Sequence, residues 1–188
     1  MAHAGIHANA VSLSSIVFAG AASVALLVAS GAGWRGWLLL AAIGIQLRLL
    51  ANMIDGMVAV EHGDATPTGA LFNEIPDRLS DTAILVCAGY ACTEAVLGWS
   101  CALAAMLTAY VRVLGGALGT PQFFVGPQSK SQRMAVLTVA AVVGAALPTF
   151  EAAQALLVTA LVVVLAGSVV TVVRRLRRIA AELEAHAA

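Results

Sequence analysis

"AAQALLVTALVVVLAGSVVTVV", residues 152–173, carries no charged side chain. A helix needs about 20 consecutive apolar residues to cross the hydrocarbon core of a bilayer, and this stretch is long enough. It is not isolated. Residues 11–33, 82–93, 95–111 and 134–150 are also free of charge, and residues 36–60 are interrupted only by Gln46, Arg48, Asn52 and Asp55. The 188-residue chain is 61% hydrophobic and 11% charged, with a mean hydropathy of +0.93. Soluble domains average about 25% charged residues. The expected fold class is therefore an all-α membrane protein, with six transmembrane helices in one bundle and a polar cavity at one end.

The runs and their punctuation predict helices over 11–32, 36–61, 69–93, 96–115, 131–149 and 152–178, within a single integral membrane domain spanning 1–188. The first run is not expected to be a cleavable signal peptide, because it lacks a basic leader and a small-residue cleavage site. The formal net charge is zero, which argues against a broad electrostatic attraction to nucleic acid. Cys87, Cys92 and Cys101 lack the paired spacing of a zinc or redox motif and read as small apolar helix residues. Two connections, "HGDATPTG" and "GGALGTPQFFVGPQSKS", are long, polar and rich in Gly and Pro, which marks them as functional.

An even number of spans puts both termini on one side, together with the 62–68 and 116–131 loops. That side collects Arg112, Lys130, Arg133, Arg174, Arg175, Arg177 and Arg178, whereas the other carries Arg35, Glu94 and Glu151. By the positive-inside rule, the termini and long loops are expected to be cytoplasmic, in a bacterial inner membrane. The "RRLRR" run at 174–178 reads as an ordinary stop-transfer flank, with an anionic-lipid contact as the alternative.

Against this background the window "NMIDGMVAVEHGDATPTGALFNEIPDRLSD", residues 52–81, is anomalous: it holds Asp55, Asp64, Asp77 and Asp81, with two glutamates and two asparagines. Asn52, Asp55 and Ala59 share one helical face, and Asn73, Asp77 and Asp81 share another on the next helix. An Asp near the centre of a membrane helix costs about 2.5–3.5 kcal/mol on insertion scales, so the cluster needs a compensating partner. Arginines are one option: Arg48 and Arg78 are available as interhelical glue. A hard cation such as Mg²⁺, Mn²⁺ or Ca²⁺ is the other, since oxygen ligands from two facing helices suit it.

The same residues resemble the signature of the CDP-alcohol phosphotransferase family, D-x2-D-G-x2-A-R-x8-G-x3-D-x3-D. Asn52 stands at its first Asp, Asp55 at the second, Gly56 and Ala59 match, and Val60 replaces the Arg. Gly69 matches, Asn73 stands at the third Asp, and Asp77 matches the fourth, with all spacings preserved. The resemblance implies Mg²⁺ or Mn²⁺ held by Asn52, Asp55, Asn73 and Asp77, with Asp81 flanking one turn further. It also implies Asp77 as general base, and Gly56, Ala59 and Gly69 as places where a nucleotide approaches the backbone. The implied reaction is phospholipid synthesis, in which a phosphatidyl-type group passes from a CDP-linked lipid donor to a small hydroxyl acceptor and CMP leaves. A homodimer is implied as well. The two Asp-to-Asn replacements remove negative charge from the cation's shell, since Asn offers only a neutral carbonyl oxygen.

Arg112, Lys130 and Arg133 would border the same cavity and are the expected acceptor-binding residues. Arg and Lys suit a phosphate, which favours a phosphorylated polyol as acceptor. His62 reads as a solvated loop residue. Two further readings of the chain stay open at this level, an inactive scaffold that binds lipid or nucleotide and a small ion or solute transporter.

Overall fold

The computed structural model describes the backbone of residues 8–62 and 69–187 and the side chains of residues 14–54 and 74–186. Six helices account for nearly all of it: α1 (Ala8–Ala32), α2 (Gly36–His62), α3 (Gly69–Ala91), α4 (Ala95–Ala117), α5 (Lys130–Ala146) and α6 (Phe150–Ala187). Number and order are as expected from the uncharged runs. Two ends differ. Helix α5 stops at Ala146 rather than 149 because Leu147 is extended (φ −68°, ψ 155°), as the residue before a proline prefers. Helix α6 continues nine residues past the expected 178, since Gly and Pro are absent after Gly167 and "RRLRRIAAELEAHA" is built of strong helix formers.

Among the described residues, four helical stretches are long and apolar enough to cross a membrane: Ser14–Ala32, Gly36–Ile54, Ala95–Ala117 and Phe150–His186. They mark an integral membrane protein. Among the described residues α3 is interrupted by Glu74, Asp77, Arg78 and Asp81, and α5 has only 17 residues.

Packing among the described residues closes a ring: α1 touches α2 and α3, α2 touches α5, α5 touches α6, α6 touches α4, and α4 touches α3. A lesser contact joins α3 and α6 across the ring. The interior is built from small side chains, with Ala22, Ala29, Ala41, Ala88, Ala91 and Ala153 fully buried around Leu38, Ile84, Leu85 and Leu161. Where lipid tails are as apolar as the helices, close packing of small residues drives association. The tightest crossing is α3 with α4. A Cβ on Gly89 would lie 2.6 Å from Gly98 Cα, and one on Gly98 would lie 2.9 Å from Leu85 O. Gly98→Val is expected to destabilise the protein by about 1–3 kcal/mol through overpacking, read as a lowered melting temperature in detergent. Gly31→Ala, with nothing within 4 Å of its Cβ, serves as the control.

Successive helices alternate in direction. The C-terminal halves of α2, α4 and α6 and the first turns of α3 and α5 therefore gather at one end, and every charged residue described below lies there.

Candidate active site

The site begins with two buried carboxylates on α3. Asp77 and Asp81 are one turn apart and only 5% and 2% exposed. Arg48, from the apolar body of α2, is 0% exposed and reaches both. Its Nη2 donates to Asp77 Oδ1 at 3.1 Å and to the Asp77 carbonyl at 3.2 Å, and its Nη1 lies 2.7 Å from Asp81 Oδ1. That last contact is a close ion pair whose angles fall short of a hydrogen bond, since neither atom has a hydrogen-bond partner. Arg133, on the buried face of α5, donates to Asp81 Oδ2 at 3.0 Å, to Thr108 Oγ1 at 3.3 Å and to the Gln128 carbonyl at 3.1 Å. Breaking such buried pairs leaves an uncompensated charge, so these contacts fix how α2, α3 and α5 sit.

Asp77 has two more partners. Asn52 Nδ2 donates to Oδ1 at 2.5 Å, and Lys130 Nζ donates to Oδ2 at 2.5 Å. The polar faces of α2 and α3 therefore meet, as their helical spacing predicts. Asp55, Gly56, Ala59, Gly69 and Asn73 have side chains outside the described residues, as does His62, whose backbone closes α2 rather than lying in a loop. Of the two arginines available as glue, Arg48 takes the aspartates. Arg78 pairs instead with Glu74 at 2.7 Å, one turn back on its own helix, and Glu74 also accepts from Arg112 of α4.

Lys130 and Arg133 owe their positions to the start of α5. Ser129 caps that helix, and its N–H donates to Gln132 Oε1 at 2.6 Å, one arm of the Ser-x-x-Gln capping box in the sequence. The preceding loop, residues 118–129, is pinned on α6. Gln128 N–H donates to Thr171 Oγ1 at 3.0 Å, and Arg175 donates to the Val125 carbonyl at 3.1 Å and the Thr108 carbonyl at 2.6 Å. Gly126 holds φ +126° against Thr171, where a Cβ would lie 2.5 Å from Cγ2. That position needs glycine twice over, for its conformation and for its space.

Beside the carboxylates lies a cavity of about 220 Å³ lined by Arg78, Thr108, Ala109, Arg112, Phe124, Ser129, Lys130, Arg133 and Arg175. Five of these are cations, and among the described residues no carboxylate shares the lining. The Arg112 guanidinium stacks over Phe124, 5.4 Å from the ring centre. Nε of Arg78, Arg112 and Arg133 is buried without a hydrogen-bond partner. A pocket with surplus donors and surplus positive charge suits an anion of phosphate geometry.

The structure thus brings Arg112, Lys130 and Arg133 together as expected and adds Arg78 and Arg175. Arg175 was hidden inside "RRLRR". Its signal is periodic: Leu157, Leu161, Val164, Ser168, Thr171, Arg175 and Ile179 form the buried stripe of α6, whereas Arg174, Arg177 and Arg178 are exposed. The three cysteines are free, and Cys101 donates to the Leu161 carbonyl at 3.2 Å, a packing role.

No protein-family model matches the sequence, and no curated protein does. Solved structures do. The phosphatidylinositol phosphate synthase PgsA1 of Mycobacterium tuberculosis with CDP-DAG bound has a TM-score of 0.73 and 21% identity, over 94% of this chain and 88% of that one. Its complex with manganese and citrate has a TM-score of 0.74 and 21% identity, over 94% and 84%. Its apo form has a TM-score of 0.69 and 21% identity, over 93% and 90%. This chain has the fold of that synthase.

Proposed function

We propose that this chain is a CDP-alcohol phosphotransferase that moves a phosphatidyl-type group from a CDP-diacylglycerol-like donor to a phosphorylated polyol, releasing CMP. The observation that carries the reading is the juxtaposition of Asp77 with a cavity walled by five cations. In this reading all six helices span the membrane, the site opens to the cytoplasm of a bacterial cell, and the protein is a homodimer. The signature register and the synthase fold, seen with CDP-DAG in one complex and manganese in another, support it.

The donor set suits a hard divalent cation, Mg²⁺ or Mn²⁺: it offers carboxylate and amide oxygens. Asn52 turns its amide nitrogen to Asp77, which leaves its carbonyl oxygen for another partner. Among the described residues no three His, Cys, Asp or Glu side chains form a ligand group, so Asp55 and Asn73 must complete the set with Asn52 and Asp77. Asp81 supports them through Arg48 and Arg133. When bound, the cation neutralises the donor's diphosphate and the departing CMP.

The chain's own residues do the rest. Arg112 and its neighbours hold the acceptor's phosphate, which fixes the acceptor beside Asp77. Asp77 accepts the proton of the acceptor hydroxyl as its oxygen bonds to the phosphorus bearing the lipid alcohol, and the bond from that phosphorus to CMP breaks. Gly56, Ala59 and Gly69 leave room for the nucleotide.

The test is CMP release by the detergent-purified protein from CDP-diacylglycerol, with glycerol 3-phosphate, inositol phosphate, inositol or serine as acceptor. We expect release with a phosphorylated acceptor, loss of it in EDTA, and recovery with Mn²⁺. Arg112→Ala is expected to raise the acceptor KM roughly tenfold or more, since a hydrogen bond to a charged group contributes about 1.5–3 kcal/mol. Preference for serine would overturn the acceptor assignment. The Asn52–Asp77 bond favours a second reading, in which amides have replaced acids in a site that binds without turnover. CDP-diacylglycerol binding with no CMP release from any acceptor would establish it.

A further inference from the structure

Lys130 belongs to two places at once: its Nζ is bonded to Asp77 Oδ2 at 2.5 Å, and its side chain lines the basic cavity. We infer that Lys130 is an internal counter-ion which a divalent cation displaces from Asp77, and that the displaced ammonium turns into the cavity, so that cation and phosphate bind cooperatively. The inference rests on the cation site proposed above and concerns what that site must give up.

The charges set the problem. Among the described residues Asp77 and Asp81 face Arg48, Lys130 and Arg133, two negative groups against three positive ones, and Asp55 of the proposed cation set brings the two signs level. A divalent cation brought to Asp77 adds two positive charges to a set already balanced, and meets an oxygen already occupied. One of the three resident cations has to leave. Arg48 and Arg133 are locked, with side chains 0% and 2% exposed and each held by several acceptors. Lys130 is different: its side chain is 30% exposed, Asp77 is the one partner described for its ammonium, and a flexible four-carbon stem carries the charge.

Its alternative position is ready. In the cavity a released ammonium meets Arg78, Arg112, Arg133 and Arg175, which is unfavourable until an anion is present. A phosphate there supplies that anion and draws Lys130 from Asp77. The cation, by taking Asp77, drives Lys130 toward the phosphate. Each ligand thus favours the other, and linkage makes the two effects equal.

The experiment is Mn²⁺ titration of the detergent-purified full chain, followed by calorimetry, in sodium sulfate or in sodium chloride at equal ionic strength. Sulfate stands in for the acceptor's phosphate. In the wild type, sulfate is expected to tighten Mn²⁺ binding about tenfold, a coupling of ordinary size. Lys130→Gln is expected to bind Mn²⁺ about tenfold more tightly than wild type in chloride and to be indifferent to sulfate. Lys130→Met gives the same expectation and stands in if the Gln variant does not fold. Unchanged or weaker Mn²⁺ binding in the variant, or a sulfate response that survives in it, overturns the inference while leaving the cation site intact. Absence of Mn²⁺ binding in both proteins overturns the cation site, and the inference with it.

Discussion

Asp77→Asn is expected to lower CMP release from CDP-diacylglycerol by about 10²–10⁴-fold, the range that a positioned general base contributes. The substitution is nearly isosteric. It preserves an oxygen to accept from Arg48 and Asn52, whose donors lie 3.1 and 2.5 Å from Oδ1, and it removes the basicity and the charge. The protein should still elute as one species in detergent, because Asp81 remains to anchor Arg48 and Arg133. The measurement is single-turnover CMP release at saturating donor and acceptor, which separates a lost chemical step from weakened binding. Release at the wild-type rate would remove Asp77 from the role of base.

Arg48→Met should be the most damaging single change to the fold itself. It strips Asp81 Oδ1 and Asp77 Oδ1 of a guanidinium that is wholly buried, and breaking a buried pair by removing one partner costs about 3–5 kcal/mol. Thermal unfolding in detergent should show a large drop, or no folded protein should be recovered. Adding Asp81→Asn to the variant should restore part of the loss by removing one stranded charge. Arg174→Met, at an exposed position on α6, should change little. If Arg48→Met melts with the wild type, the carboxylates are compensated from elsewhere and the packing account of α2, α3 and α5 fails.

The six helices are legible because their apolar runs are bounded by charge, Gly or Pro. The meeting of α2 and α3 is legible as well: spacing puts Asn52 and Asp77 on facing surfaces, and they bond. What spacing withholds is rotation between helices. Arg48 and Arg78 look equivalent as partners for the aspartates, yet Arg48 takes both and Arg78 folds back on Glu74. Choosing between them requires knowing which face of α2 turns inward. Arg175 was obscured by its three neighbours of equal charge, although its register with Thr171 and Ile179 marks it as inward-facing. The length of α6 was misjudged for a related reason. A basic run ends a membrane span, but nothing in it ends a helix.

The pairing of Arg48 with α3 also bears on how the protein is made. In the six-span reading, α3 reaches the insertion machinery with Glu74, Asp77, Arg78 and Asp81 in its first half, and among the described residues it is not one of the stretches apolar enough to cross unaided. Helix α2 precedes it on the ribosome and carries Arg48, which can meet both aspartates before α3 contacts lipid. Arg133 arrives only with α5, after α4 has also emerged. On that reading α2 and α3 would enter the bilayer together, and the residues proposed for the chemistry would first serve to bring α3 across.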